Sequence, residues 1–142
     1  MQGLALVDSS FFLRQQRFGR DAFAELVHWS YRHELLTCGM VQLEVLRGAR
    51  SAQVLDRYRA AFAAMRCIPT TGRVWEHAAQ LARALENRGT PIPPQDSLIA
   101  AHALQAGAAI LTLDTDYRRI PGLVVLTRLA RDGEPGAGRR PA

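Results

Sequence analysis

Two aspartates directly follow apolar runs that have the length of buried strands. Asp8 follows residues 4–7, and Asp114 follows residues 109–113. In open α/β sheets, binding and catalytic sites form at the carboxyl ends of the strands. An aspartate in this place can also be a simple helix cap, since its side chain accepts hydrogen bonds from the first backbone N–H groups of a helix.

Two further acids lie on the apolar faces of predicted helices. Val41, Glu44 and Val45 share one helical face, because they are three and four positions apart. Asp96 precedes Ile99 with the same spacing. Both helices therefore direct a carboxylate towards the interior.

Carboxylates that converge need a positive partner. Two of them about 4 Å apart repel by about 4 kcal/mol at an effective dielectric constant of about 20. All 18 basic residues are arginine and the chain has no lysine, which excludes Schiff-base chemistry and P-loop phosphate binding. The candidates are arginine or a hard divalent cation, and a cluster of oxygen donors favours Mg²⁺ or Mn²⁺ over zinc. Cys38 and Cys67 lack zinc-site spacing, and we expect two buried, reduced thiols.

Short apolar segments alternate with amphipathic ones along the chain. This alternation predicts an α/β fold with a largely parallel sheet covered on both faces. A helix is expected to start at Asp8–Ser10, and another follows Gly39. The predicted strands are residues 4–7, 35–38, 67–69, 109–113 and 123–126, and the other predicted helices are residues 21–33, 52–65, 74–85 and 95–107.

Length and charge indicate one basic domain. A chain of 142 residues fits one domain, which we place at residues 1–130, with a disordered tail at residues 131–142. The tail carries three arginines and two acids, so four of the five net positive charges remain on the domain. A pI near 10.2 favours a nucleic-acid partner. The first apolar run is too short for a signal or membrane segment, and we expect a cytoplasmic protein without a membrane partner.

These motifs resemble the PIN-domain family, in particular the small VapC-type toxins of bacterial toxin-antitoxin pairs. The resemblance covers nearly all of the first 130 residues. Tyr117 stands where phenylalanine is common in the family, and His102 stands where a small residue is usual; we expect neither to contact the acids. The matching segments are Val7–Ser10, Val41–Gly48, Asp96–Ala101 and Leu111–Tyr117.

The resemblance implies a PIN-like three-layer fold, with four to five short strands flanked by helices. It also implies a Mg²⁺- or Mn²⁺-dependent endoribonuclease that holds one or two ions and hydrolyses RNA with a metal-activated water. Asp116 is an alternative to Asp114 as the fourth ligand, or acts through water. The implied metal ligands are Asp8, Glu44, Asp96 and Asp114; Ser10 and Thr112 would orient carboxylates, and Arg118 and Arg119 would hold RNA phosphates. The implied partners are a cognate VapB-like antitoxin, docked on the early helices, and a second copy in a homodimer.

Other interpretations remain at this stage. The chain could be a catalytically silent PIN-like module that binds RNA or a partner, or a solitary RNA-processing nuclease. Asp114 and Asp116 also resemble the TOPRIM pattern, but that pattern leaves Asp8 and Asp96 unexplained. A metal-free ribonuclease would need two histidines close together, and the spacing of the four histidines brings no two of them together.

Overall fold

In the computed structural model, residues 2–127 and the backbone of residues 140 and 141 are described. The predicted α/β fold with a largely parallel sheet is confirmed. The strands are β1 (Gly3–Val7), β2 (His33–Cys38), β3 (Arg66–Ile68), β4 (Ala109–Leu111), β5 (Val124–Leu126) and β6 (Arg140–Pro141). The helices are α1 (Ser9–Arg17), α2 (Ala22–Ser30), α3 (Gly39–Arg47), α4 (Ala52–Ala63), α5 (Gly72–Asn87) and α6 (Pro94–Ala106), with a 3₁₀ helix at Thr115–Arg119.

The sheet has the order β3-β2-β1-β4-β5-β6. The first five strands are parallel, and β6 runs antiparallel to β5. β1 lies between β2 and β4, with Leu6 in register with Leu36 on one side and Ile110 on the other. The strand order reverses at β1 and β4, which opens a crevice at their carboxyl ends.

The central strands are apolar because helices cover both faces of the sheet. Leu6, Leu36, Ile110 and Leu111 have no exposed surface. Full burial of such a side chain contributes about 1.5–3 kcal/mol. This core fixes the strand ends on which the acids lie.

Helix α6 is buried along most of its length, with every residue from Ser97 to Ala103 inaccessible. Pro94 occupies its first turn, where a missing N–H costs nothing. Gly107 ends it in the left-handed conformation at φ 66°. The helix therefore begins at a defined place and presents Asp96 in its first turn.

The structure corrects two local predictions. Helix α2 ends at Ser30 rather than at residue 33, because His33 pairs with Gly3 and joins β2. Cys67 is exposed, since it lies on the edge strand β3, whereas Cys38 is buried as expected. The predicted disordered tail lies mostly outside the described residues and stays a prediction; the backbone of Arg140–Pro141 pairs with β5.

Within the described part of the chain, no helix has the length and apolar character that crossing a membrane requires.

Candidate metal centre

Asp8 lies at the carboxyl end of β1 and caps the first turn of α1. Only 2% of its surface is exposed. Its Oδ2 atom accepts hydrogen bonds from the hydroxyls of Ser10, at 2.7 Å, and Thr112, at 2.8 Å. The two residues that the resemblance assigned to orienting a carboxylate thus both contact Asp8.

Tyr117 completes the partners of Asp8. Its hydroxyl donates to Asp8 Oδ1 at 2.8 Å and lies 3.4 Å from Asp96 Oδ1. The side chain is fully buried. The expectation that Tyr117 does not contact the acids was wrong, because the 3₁₀ helix that Asp114 caps brings its hydroxyl to both carboxylates.

The loop after β4 is held by the same hydroxyl groups. Thr112 Oγ1 accepts from the backbone N–H of Asp114 at 2.9 Å, and Ser10 Oγ accepts from that of Leu113 at 3.1 Å. Asp114 Oδ1 in turn caps the 3₁₀ helix by accepting from the N–H of Asp116 at 2.9 Å. This chain of bonds fixes both aspartates relative to Asp8.

Three acids form a compact group at the mouth of the crevice. Asp96, Asp114 and Asp116 each offer a carboxylate oxygen, and these oxygens lie within 4.8 Å of one another. All three residues are half-buried. The structure thus brings both Asp114 and Asp116, between which the sequence could not choose, next to Asp96.

The electrostatic environment disfavours the charge on Asp96. Burial raises the pKa of this carboxyl to about 7, and the negative charges of Asp8 and Asp114 add to the shift. A cation in the group would reverse this balance, because an opposite charge favours the ionised carboxylate.

Glu44 approaches the cluster from α3 and is half-buried. Its Oε1 atom is buried and has no hydrogen-bond partner among the described residues. Burial and then the charge of Asp8 raise the pKa of Glu44, while Arg47 and a hydrogen bond with Ser9 lower it. An unpartnered carboxylate oxygen of this kind is the group that a bound cation would satisfy.

Arginines surround the acids but contact them sparingly. Arg119 lies 3.5 Å from Asp116 Oδ1 and donates to the carbonyl of Pro91 at 3.0 Å, so part of its guanidinium is already engaged. Arg118 is exposed. Arg14, which the sequence analysis missed, donates to the carbonyl of Leu113 at 2.6 Å and ties α1 to the acidic loop.

The donor set fits a hard divalent cation. The group offers only carboxylate oxygens, without a histidine or cysteine, and such ligands suit Mg²⁺ and Mn²⁺. The orphaned oxygen of Glu44 and the raised pKa of Asp96 both describe a site whose negative charge lacks a counter-charge.

Comparisons with known proteins match the chain to one family. The family profile described as PIN domain matches residues 5–123. Ribonuclease VapC4 of Mycobacterium tuberculosis is 32% identical over 130 residues, which cover 87% of this chain and 95% of that protein. A tRNA(fMet)-specific endonuclease VapC of Salmonella typhimurium is 38% identical over 48 residues, which cover 33% of this chain and 36% of that protein.

Solved structures share the fold at lower identity. The VapBC2 complex of Rickettsia felis, bound to a DNA fragment from its promoter, contains a chain that aligns with a TM-score of 0.69 and 18% identity, covering 86% of this chain and 96% of that one. VapC20 of Mycobacterium tuberculosis, described as a toxin that cleaves the sarcin-ricin loop, aligns with a TM-score of 0.63 and 16% identity, covering 80% and 92%.

Proposed function

The chain belongs to the PIN-domain family, and we propose that it is a VapC-type endoribonuclease toxin that depends on Mg²⁺ or Mn²⁺. The observation that carries this proposal is the convergence of Asp96, Asp114 and Asp116 at the carboxyl ends of the central strands. The 32% identity to a ribonuclease VapC over most of both chains supports the reaction class.

Asp8, Glu44, Asp96 and Asp114 would hold the cation, and Asp116, whose carboxylate lies with those of Asp96 and Asp114, is the alternative to Asp114. When bound, a divalent ion acidifies a water into a nucleophile and offsets the charge that develops on the phosphodiester. The remaining work falls to the protein. Ser10 and Thr112 keep Asp8 in one orientation, and the capping bonds of Asp114 hold the 3₁₀ turn against the site.

RNA would bind to a domain that carries four of the five net positive charges of the chain. Arg118 is exposed beside the acidic loop and can contact a flanking phosphate. Arg119 is nearby, but its bonds to Asp116 and Pro91 leave it fewer free donors. We therefore assign Arg118 the larger part in binding the RNA backbone.

The proposal is tested by incubating the purified protein with a labelled, structured RNA in Mg²⁺. We expect cleavage that EDTA stops and that added Mn²⁺ restores. Asp96→Asn should lower the cleavage rate at least about 100-fold, because it removes a charged ligand. Asp56→Asn is the matched control, since Asp56 is exposed on α4 and outside the cluster.

Cleavage that persists in EDTA and in the Asp96→Asn variant would rule out the metal mechanism. Growth arrest on expression that survives Asp96→Asn would instead favour a module that acts by binding.

A groove between α2 and α4 suits the antitoxin. It encloses about 790 Å³ and shares no residue with the acid cluster. Its floor is apolar, with Phe23, Leu26 and Met65 among its lining residues. Arg57 and Arg66 stand at its side, where they pair with Asp21 and Glu34. An amphipathic antitoxin segment that lays its apolar face on this floor would match the groove.

Val27→Asp tests the groove, because Val27 lines it and is 53% exposed. We expect the affinity for the cognate antitoxin, measured by calorimetry, to fall at least about 10-fold, since an unpaired charge would be buried. Phe18→Asp is the control, because Phe18 is 66% exposed and lies outside the groove. Equal losses for both variants would place the antitoxin elsewhere.

The homodimer is also part of the proposal. Leu43 on α3 and Trp75 on α5 are 60% and 58% exposed. Met40 of α3 packs against an apolar cluster that α5 and α6 share, which consists of Val74, Ala78, Leu98 and Ala101. A second copy could cover this apolar surface. Sedimentation equilibrium of the antitoxin-free protein should give twice the 15.7 kDa of one chain, and a monomer at all concentrations would contradict the assignment.

A further inference from the structure

Tyr117 joins two carboxylates that come from different parts of the fold. Asp8 follows β1, whereas Asp96 lies in the first turn of α6. The Tyr117 hydroxyl donates to Asp8 Oδ1 at 2.8 Å and lies 3.4 Å from Asp96 Oδ1. The Tyr117 hydroxyl therefore connects the hydrogen bonds around Asp8 with Asp96 on α6.

The other hydroxyl groups at Asp8 cannot do this. Ser10 and Thr112 both donate to Asp8 Oδ2, and each accepts its second bond from the backbone of the loop after β4. They bind the strand ends to one another. Asp8 Oδ1 is the oxygen that faces Asp96, and Tyr117 is its donor.

The position of the Tyr117 hydroxyl is set by packing. The ring is fully buried, and its backbone lies in the 3₁₀ helix that Asp114 caps. The ring loses its conformational entropy when the chain folds, so none is lost later when a ligand binds. The hydroxyl is thus fixed where the repulsion between Asp8 and Asp96 acts, and its single proton is directed to Asp8.

We propose that Tyr117 is a positioning residue that fixes the spacing and orientation of Asp8 and Asp96 before the cation binds. This inference rests on the proposed function, because it needs the acid cluster to bind a divalent cation. Groups that orient metal ligands in this way affect metal affinity by about 10- to 100-fold when they are removed.

The test compares Tyr117→Phe with Tyr58→Phe. Each variant deletes one hydroxyl from a buried ring; that of Tyr58 donates to Gln16, remote from the acids. Titration calorimetry with MnCl₂ alone should show a dissociation constant about 10- to 100-fold weaker for Tyr117→Phe and unchanged for Tyr58→Phe. The electron paramagnetic resonance spectrum of Mn²⁺ at saturation should also change in Tyr117→Phe, because a loosened Asp8 alters the ligand geometry.

If Tyr117→Phe folds poorly, a measurement on the unaltered protein replaces the comparison of the two variants. Titration with MgCl₂ should shift the ring resonances of Tyr117 in NMR spectra and leave those of Tyr58 in place.

The outcomes separate the two proposals. Absence of Mn²⁺ binding in the unaltered protein would overturn the proposed function. Binding by the unaltered protein, together with an equal dissociation constant and spectrum in Tyr117→Phe, would overturn only the role of Tyr117. Tyr117 resonances that do not shift at saturating Mg²⁺ would likewise overturn only the role of Tyr117.

Discussion

The carboxylates of the acidic site have different surroundings on its two sides, one formed by the strand ends and the other by helices α3 and α6. On the strand side, Asp8 is 2% exposed and accepts hydrogen bonds from the hydroxyls of Ser10, Thr112 and Tyr117. On the helix side, Glu44 keeps a buried oxygen without a partner among the described residues, and burial raises the pKa of Asp96 to about 7.

The difference shows that the protein stabilises negative charge in two ways. On the strand side, hydroxyl groups of the protein satisfy the carboxylate of Asp8, and these hydrogen bonds form when the chain folds. The helix side carries charge that the protein does not neutralise, so its stable form depends on a proton or a cation from solution. Five changes test this contrast.

Asp8→Ala should have the largest effect on folding. It removes the cap of α1 and leaves three hydroxyl donors, two of them buried, without their acceptor. We expect the free energy of unfolding, measured by urea denaturation at pH 8 in EDTA, to fall by about 3 kcal/mol.

Glu44→Ala is the matched truncation on the helix side. Because it deletes an unpartnered oxygen and alanine favours helix, we expect the free energy of unfolding to change by less than about 0.5 kcal/mol. Similar losses of unfolding free energy in Asp8→Ala and Glu44→Ala would mean that the strand side and the helix side do not differ.

Addition of Mn²⁺ should raise the free energy of unfolding by nearly as much as Asp8→Ala lowers it. At a concentration about 100 times the dissociation constant, a ligand specific for the folded state adds about 2.7 kcal/mol. The melting temperature should then rise by on the order of 10 °C and return with EDTA. An equal rise in Asp96→Asn would place the ion outside the cluster.

Asp96→Asn should stabilise the metal-free protein at alkaline pH. The folded-state pKa is raised from 3.8 to about 7, so the folded chain holds a proton that the unfolded chain releases. Stability is therefore lost as the pH rises through this window. After allowance for solvent screening at a half-buried site, the variant should exceed the unaltered protein by about 1–2 kcal/mol at pH 8.

The advantage of Asp96→Asn should be smaller at pH 5, where the carboxyl of the folded protein is largely protonated. Urea denaturation of both proteins at the two pH values measures it, and an advantage that grows as the pH falls would have the wrong sign.

Arg119→Gln should have the smallest effect. The pair with Asp116 is 3.5 Å long and the arginine is 47% exposed, so solvent and salt screen it. We expect a loss of less than about 0.5 kcal/mol that disappears at high salt. A loss well above 1 kcal/mol would make Arg119, rather than a bound ion, the main counter-charge of the site.

The sequence was sufficient to predict the framework of the site. The apolar runs before Asp8 and Asp114 identified two neighbouring strands of the sheet, and parallel strands bring their carboxyl ends together. Helical spacing likewise predicted that Glu44 faces inward. The binary pattern of apolar and polar residues carries this information, and it can be read along the chain.

The contacts of single side chains could not be predicted in this way. Tyr117 meets Asp8 across 109 positions, and the contact depends on the path of a short 3₁₀ helix. The available signal was an aromatic ring with a hydroxyl three residues after Asp114. Arg14 gave a similar weak signal, one turn after Ser10 on α1.

The long sequence separations around Asp8 also set the order in which the site can appear. Asp8 is made early, but its partners Thr112 and Tyr117 follow 104 and 109 residues later. Contacts this distant in sequence form late and slow folding. A growing or proteolysed chain that stops before residue 112 holds Asp8 without these donors and lacks Asp114 and Asp116. The acid cluster can therefore form only after the chain has been synthesised as far as Asp116.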